Sequence, residues 1–175
     1  VLEFKSWKDT GTYIMAGASV EQIQGLLDDH IIKVQTMKGS PFAKYFAQRI
    51  EDWEKFLISV QDILDIWIKV QGVWQYLEPI FGSEDIMRQM PKEGQLFKKQ
   101  DAMWRENMRK IAANVKCLAV ADIPGIVESY KEQHEILEQV QKGLNDYLEM
   151  KRLYFPRFFF LSNDELLEIL SETKD

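Results

Sequence analysis

Apolar residues recur every three or four positions over most of the chain, which is the period of one helix face. The longest run begins at Ser40 and Pro41, where serine can cap a helix and proline suits its first turn. It ends at Pro79, because the residue before a proline disfavours helix. The run predicts one helix of about 37 residues, far longer than an average helix. Its apolar positions are Phe42, Phe46, Ile50, Trp53, Leu57, Val60, Leu64, Trp67, Val70, Trp74 and Leu77.

Further helices are predicted on both sides of this run. The first starts at Ser19, which fits a capping box with Gln22, and it ends at Gly39. The prolines are expected at element boundaries and never inside a periodic run. The helices after the long one are predicted at 84–90, around 97–118 and at 124–154.

The two ends of the chain follow other patterns. Residues 1–17 predict a β-hairpin, with β-prone runs on either side of the turn Lys8-Asp9-Thr10-Gly11. The run Phe158 to Leu161 is too short and too apolar for a surface helix, so we expect a buried extended segment. Ser162 and Glu165 form a second capping box before a final helix.

These patterns predict a mainly α fold. We expect an elongated helical bundle with one very long helix and a small N-terminal β-hairpin. In this layout the hairpin occupies 1–17, the bundle 19–154, and the triple-phenylalanine segment with its capped helix 155–175. No low-complexity linker divides the chain, so the prediction is a single unit.

Composition narrows the class of protein. Hydrophobic residues make up 46% and charged residues 29%, which favours a folded chain over a disordered one. The net charge of −6 and the lack of a dominant basic run argue against nucleic-acid binding. No stretch reaches the roughly 18 uncharged apolar residues of a membrane span. Cys117 is the single cysteine, which favours a reducing compartment. The chain lacks an initiator Met, and both ends are interpreted as cuts in a longer protein.

Motifs that would carry catalysis are missing from the sequence. There is no phosphate-binding glycine loop, no HExxH and no paired CxxC, so we expect no catalytic residue, cofactor or metal here. His30, His134 and Cys117 are interpreted as ordinary structural residues. Asp62 and Asp65 share a helix face, but the Glu-x-x-His pattern of di-metal bundles is lacking. The tryptophans Trp53, Trp67 and Trp74 are expected to fill the core.

Several segments resemble the linker of dynein heavy chains, especially axonemal ones. The most specific is FPRFFFLSNDELLEIL, Phe155 to Leu170, and the second is QGVWQYLEPIFGSEDIMRQMP, Gln71 to Pro91. The run from Leu27-Asp28-Asp29-His30 to Trp53-Glu54 and the segment KGLNDYLEMKR, Lys142 to Arg152, are also similar to the family. Together these segments cover most of the chain from Gly17 onward.

The resemblance implies a function that periodicity alone does not give. The family's linker is a helical arm over a ring of six AAA+ modules, and ATP turnover in the ring bends and straightens it. Its straightening is the power stroke that moves cargo along a microtubule. The implied partners are the ring of the same heavy chain and the microtubule motor complex, in the cytoplasm, the cytoskeleton and the ciliary axoneme. ATP would bind in the parent ring and not in this fragment.

Interpreting the chain as part of such an arm, called here the lever interpretation, gives candidate residues for a hinge and for docking. A hinge is expected where helix patterns stop, near Pro79 and Gly82 or before Pro156. Reversible docking on the ring needs exposed positions, for which the candidates are Phe158, Phe159, Asp164 and Glu165. Two alternatives stay open: a generic helical scaffold that binds a partner helix, and, less favoured for want of ligands, a metal-dependent helical-bundle enzyme.

Overall fold

A computed structural model describes residues 1–172, most of which are helical. A two-stranded antiparallel sheet precedes the helices, with β1 at Phe4–Ser6 and β2 at Tyr13–Met15. The helices of the described residues are α1 Gly17–Lys38, α2 Ala47–Phe81, α3 Glu84–Gln89, α4 Pro91–Ala112, α5 Cys117–Val120, α6 Ile126–Tyr154 and α7 Asn163–Glu172. Short 3-10 helices at Pro41–Phe46 and Pro156–Phe160 precede α2 and α7. The mainly α fold with a small N-terminal hairpin is therefore confirmed.

The chain groups into two compact units. Unit 1 contains residues 1–68 and 105–129, and unit 2 contains residues 69–104 together with the chain from Tyr130 onward. The sequence predicted one bundle without a dividing linker. The boundaries between the units fall inside α2, α4 and α6, so no linker composition marks them.

Unit 1 is built around the hairpin and the first half of α2. Phe4 pairs with Met15 across the strands, and its ring lies 6.2 Å from that of Trp67. The Leu2 N–H donates to the Val115 carbonyl at 2.8 Å, which ties the start of the chain to the segment after α4. Gly11 adopts φ +71° in the turn, a conformation that glycine takes without strain. The hairpin thus gains the packing that two isolated strands would lack.

Unit 2 has an aromatic core. The Trp74 and Trp104 rings stack with centroids 5.2 Å apart, and Tyr130 lies 6.5 Å from Trp104. Phe81 and Phe97 form a second stack at 5.3 Å. Trp74 Nε1 also donates to Asp101 at 3.0 Å, so the indole N–H is satisfied inside the core.

The long helix differs from its prediction at both ends. The first turns at Pro41–Phe46 are a 3-10 helix, and α2 proper spans 35 residues. Pro79 does not end the helix, because α2 continues through it to Phe81. Pro79 removes one backbone N–H from the last turn, while its fixed φ is compatible with a helix, and its ring is exposed. The prediction that prolines fall only at element boundaries was therefore wrong at Pro79.

The apolar stripe of α2 is buried over only part of its length. From Leu57 to Leu77 the predicted core positions are buried, including Trp67 and Trp74. Trp53 is exposed instead, with 44% of its surface in solvent, and so are Phe42 and Phe46, which continue the stripe in the preceding 3-10 helix. The expectation that Trp53 fills the core was wrong, since no described part of unit 1 covers that end of the stripe.

Two predictions about local structure were also wrong. Ser19 is not an N-cap, because α1 already begins at Gly17. Its hydroxyl instead accepts the Glu3 N–H at 3.1 Å, which connects the hairpin to α1. The segment Phe158 to Leu161 is not a buried strand: its three phenylalanines lie in the 3-10 helix Pro156–Phe160, Leu161 follows that helix, and Phe160 is 91% exposed. Proline at the first position fixes φ near the helical value and favours this turn.

Candidate functional site

The hinge candidates of α2 lie at a tight connection in unit 2. Pro79 is inside the last turn of α2, and Gly82 directly follows the helix. The Gly82 N–H donates to the Glu78 carbonyl at 2.9 Å, and Ser83 N–H donates to Ile80 at 3.2 Å. A Cβ at Gly82 would lie 3.2 Å from the Glu78 carbonyl oxygen, closer than most real contacts. Only Gly82 and Ser83 separate α2 from α3, so backbone change here would be concentrated in two residues.

The end of α2 and the start of α7 line a common notch of about 210 Å³. Pro79 and Asp164 both border it, although they are far apart in sequence. Burial and the Asp164 carboxylate both raise the pKa of Tyr76 in α2, which places that carboxylate's charge close to the helix. The structure therefore brings one hinge candidate and one docking candidate together. The full lining is Pro79, Ile80, Ser83, Ile86, Asp164, Leu167, Glu168 and Ser171.

The connection from α6 to α7 is held by a buried arginine that the sequence analysis did not single out. Arg152 is 8% exposed, and its guanidinium donates to the Leu161 carbonyl at 3.0 Å and to Asn163 Oδ1 at 2.8 Å. Pro156 opens the 3-10 helix between these partners. A basic residue near a helix C-terminus is a common pattern and gives no sign of partners 9 and 11 positions away.

The three phenylalanines of this turn have different environments. Phe158 is half-buried, and its ring packs against that of Phe155 with centroids 5.4 Å apart. Phe159 is 54% exposed, and Phe160 is exposed almost completely. Tyr154 and Leu153 at the end of α6 are exposed as well. Phe159 and Phe160 are thus the side chains of this segment available to a partner, while Phe158 takes part in the turn's own packing.

The acidic start of α7 is a capping box, as predicted. The Ser162 N–H donates to Glu165 Oε2 at 2.8 Å, and the Glu165 N–H donates to Ser162 Oγ at 3.3 Å. The hydrogen bonds from the Ser162 N–H and hydroxyl lower the pKa of Glu165. Asp164, beside it, is exposed toward the notch. Glu165 therefore has a local structural role, whereas Asp164 is exposed and lies outside the capping box.

Two aspartates named in the sequence analysis, Asp28 and Asp65, accept side-chain hydrogen bonds in unit 1. Asp28 Oδ1 accepts from Gln61 Nε2 at 2.7 Å, and Asp65 Oδ1 accepts from Gln24 Nε2 at 3.2 Å. Both pairs bridge α1 and α2. Among the described residues, no group of three or more His, Cys, Asp and Glu side chains could hold a metal ion. Likewise, no helix within 1–172 is both long and apolar enough to cross a bilayer.

Cys117 is half-buried at the start of α5, and its thiol pKa is raised by that burial.

Across unit 2, the residues singled out by sequence serve packing, capping and backbone hydrogen bonding. Two phenylalanines, Phe159 and Phe160, and the Asp164 carboxylate at the notch remain exposed at the surface of unit 2.

Comparison with known proteins gives the family. Residues 1–175 match the family model described as "Dynein heavy chain, N-terminal region 2". The chain is 56% identical over 169 residues to dynein axonemal heavy chain 12 of Homo sapiens, covering 97% of this chain and 5% of that protein. It is 55% identical over 172 residues to dynein axonemal heavy chain 3 of Homo sapiens, covering 98% and 4%. The chain belongs to the dynein heavy chain family.

A third relative is more distant, at 46% identity over 169 residues. It is dynein axonemal heavy chain 1 of Mus musculus, and the match covers 97% of this chain and 4% of the relative. The chain therefore spans about a twentieth of the length of the relatives that it matches.

Proposed function

We propose that this chain is part of the mechanical linker of a dynein heavy chain. In this role it couples ATP-driven changes of a AAA+ ring to movement along microtubules, in the axoneme of a cilium. The nucleotide sites belong to other parts of the heavy chain, and this segment transmits force without binding ATP. The match of the whole chain to the dynein N-terminal region is the observation that carries the proposal.

The packing of unit 2 suits a segment that bears load. Stacked rings of Trp74, Trp104 and Tyr130 make a dense core, and dense packing resists deformation. Arg152 braces the turn that leads to α7. Compliance is then expected at the connection around Gly82 and at the turn beginning with Pro156, where helices end.

The exposed phenylalanines suit reversible docking on the ring. Exposed apolar side chains beside a structured turn are a common feature of protein interaction sites. Phe159 is the docking residue in this proposal, and Asp164 adds a charge that is not used in the capping box. Microtubule gliding would then depend on Phe159, because an undocked linker lets the ring turn over ATP without a productive stroke.

The test compares two variants in the full heavy chain. Phe159→Ala should lower microtubule gliding velocity while the microtubule-stimulated ATPase rate is retained. Phe158→Ala is the matched control, since it removes the same ring from a half-buried position and should mainly lower thermal stability. Unchanged gliding by Phe159→Ala would contradict the docking role. Unchanged gliding after destabilising unit 2 with Trp104→Ala, in a heavy chain that stays intact, would favour the generic helical scaffold instead.

A further inference from the structure

The apolar stripe of α2 runs past the region where other helices cover it. Leu57 is buried, whereas Trp53, Ile50 and Phe46 on the same stripe are partly or largely exposed. Three of these side chains, Phe46, Ile50 and Trp53, form a groove of about 610 Å³ in unit 1 together with Arg49, Asp52 and two side chains of α1. It is named here the α1–α2 groove. Its lining is Val34, Met37, Phe46, Arg49, Ile50, Asp52 and Trp53.

The walls of the α1–α2 groove are already ordered. Val34 is buried at its base, and the Trp53 ring stacks on Phe56 with centroids 5.4 Å apart. The ion pair of Lys38 Nζ with Glu54 Oε2, at 2.9 Å, joins α1 to α2 at this end. A preformed apolar groove between two helices is the type of surface that accepts a third amphipathic helix.

The charged side chains at and beside the groove differ in whether they already have a partner. Asp52 accepts from Gln48 Nε2 at 2.8 Å, and Lys55 pairs with Glu51 at 3.5 Å. Arg49, by contrast, has no carboxylate partner within residues 1–172. An occupant that brings a carboxylate to this position would complete an arginine ion pair beside the apolar contact.

We propose that the α1–α2 groove binds an amphipathic helix of the same heavy chain, from outside residues 1–175, with a carboxylate facing Arg49. Relatives are about twenty times as long as this chain, so most of a heavy chain is available to supply that helix. A second copy of residues 1–175 is a poorer occupant. Its acidic amphipathic helix, α7, buries Leu166 and Leu167 within its own fold. The proposal rests on membership of the family and is independent of the lever role.

Site-specific photocrosslinking in the full heavy chain tests the proposal. Benzoylphenylalanine replaces Met37, which lines the groove, and the matched control carries it in place of Ile32, an exposed position of α1 outside the lining. The expected result is a cross-link from position 37 to a helical segment of the same heavy chain outside 1–175. A cross-link to another subunit, or to a second heavy chain in an isotopically mixed sample, would overturn the proposal. So would a yield no higher than that of position 32.

A charge reversal tests the role of Arg49. Arg49→Glu should lower the cross-linking yield from position 37 about tenfold, which corresponds to about 1.4 kcal/mol. Lys33→Glu is the matched control, because it reverses an exposed charge of α1 that does not line the groove. Equal yields from the two variants would overturn the proposed carboxylate, even if position 37 still cross-links within the chain.

Discussion

Arg152 and Asn163 are joined by a hydrogen bond of 2.8 Å that crosses the whole turn between α6 and α7. The same guanidinium donates to the Leu161 carbonyl, so one buried cation holds both the end of the 3-10 helix and the start of the next helix. Its ion pair with Glu149, at 3.7 Å, lies toward solvent. The position of the exposed phenylalanines therefore depends on a residue outside their own segment.

The first prediction concerns these hydrogen bonds of Arg152. Arg152→Met keeps most of the aliphatic stem but removes both hydrogen bonds and leaves two acceptors without a partner. We expect the free energy of unfolding to fall by about 1.5–3 kcal/mol, the range for hydrogen bonds to a charged group. Urea denaturation followed by circular dichroism measures it. Arg157→Met, at an exposed position of the same turn, is the control and should change stability by less than about 0.5 kcal/mol.

The hydrogen bonds of Arg152 also show why the structure of the turn between α6 and α7 could not be predicted from the sequence. The sequence analysis found the capping box of Ser162 and Glu165, because both partners lie within one helical turn. It missed the 3-10 helix, because three consecutive phenylalanines were interpreted as buried. The Arg152 guanidinium donates a hydrogen bond to the Leu161 carbonyl, nine residues further along the chain, and no local sequence pattern marks such a partner.

The capping box leads to a pH prediction. The pKa of Glu165 is lowered by the hydrogen bonds from Ser162, so the folded chain binds this proton less readily than the unfolded chain does. The stabilisation is fully present above the ordinary glutamate pKa of about 4.3, and it is lost as pH falls from there through the lowered value. Glu165→Gln keeps an acceptor but removes the titration.

Urea midpoints of wild type and Glu165→Gln should therefore differ at pH 7 and converge as the pH falls below about 4. Glu168→Gln serves as the control, since it removes a carboxylate of the same helix that lies outside the capping box. A difference between wild type and Glu165→Gln that stays constant down to pH 2 would show that the charge of Glu165 does not contribute.

Two tryptophans of the chain offer a matched test of burial. Trp104 is fully buried between Trp74 and Tyr130, whereas Trp53 is partly exposed in the α1–α2 groove. Trp104→Ala should lower the free energy of unfolding by about 3–5 kcal/mol, since it leaves a large cavity. Trp53→Ala should cost about 1 kcal/mol in the isolated chain. Equal losses, measured by urea denaturation, would show that the α1–α2 groove is closed in solution.

The contrast between Trp104 and Trp53 shows how far the spacing of apolar residues alone predicts a core. From Leu57 to Leu77 the predicted stripe of α2 is buried, because helices of this same chain pack on it. Phe42, Phe46 and Trp53 continue the same period but remain exposed. Spacing predicts which residues share a helix face, but it carries no information about whether a neighbour covers that face. The exposed end of α2 therefore appeared only in the structure.

The last prediction concerns the contact between the hairpin and α1. Ser19, expected as a helix cap, accepts the Glu3 N–H at 3.1 Å and lies buried beneath the strands. Ser19→Ala removes this acceptor and leaves the Glu3 N–H without it in a partly buried position. We expect a loss of about 1 kcal/mol in unfolding free energy, typical for one neutral hydrogen bond.

The change should be local, because the strand ladder and the Leu2 to Val115 hydrogen bond persist. Hydrogen exchange measured by NMR should show faster exchange at Glu3, with the Ala16 N–H, which donates to the Glu3 carbonyl at 2.9 Å, as a second reporter. Ser171→Ala is the control: that hydroxyl bonds the Glu168 carbonyl in its own helix, and its loss should leave the hairpin unchanged. If Ser19→Ala instead accelerates exchange along α1 and spares Glu3, Ser19 acts as the helix cap that the sequence predicted.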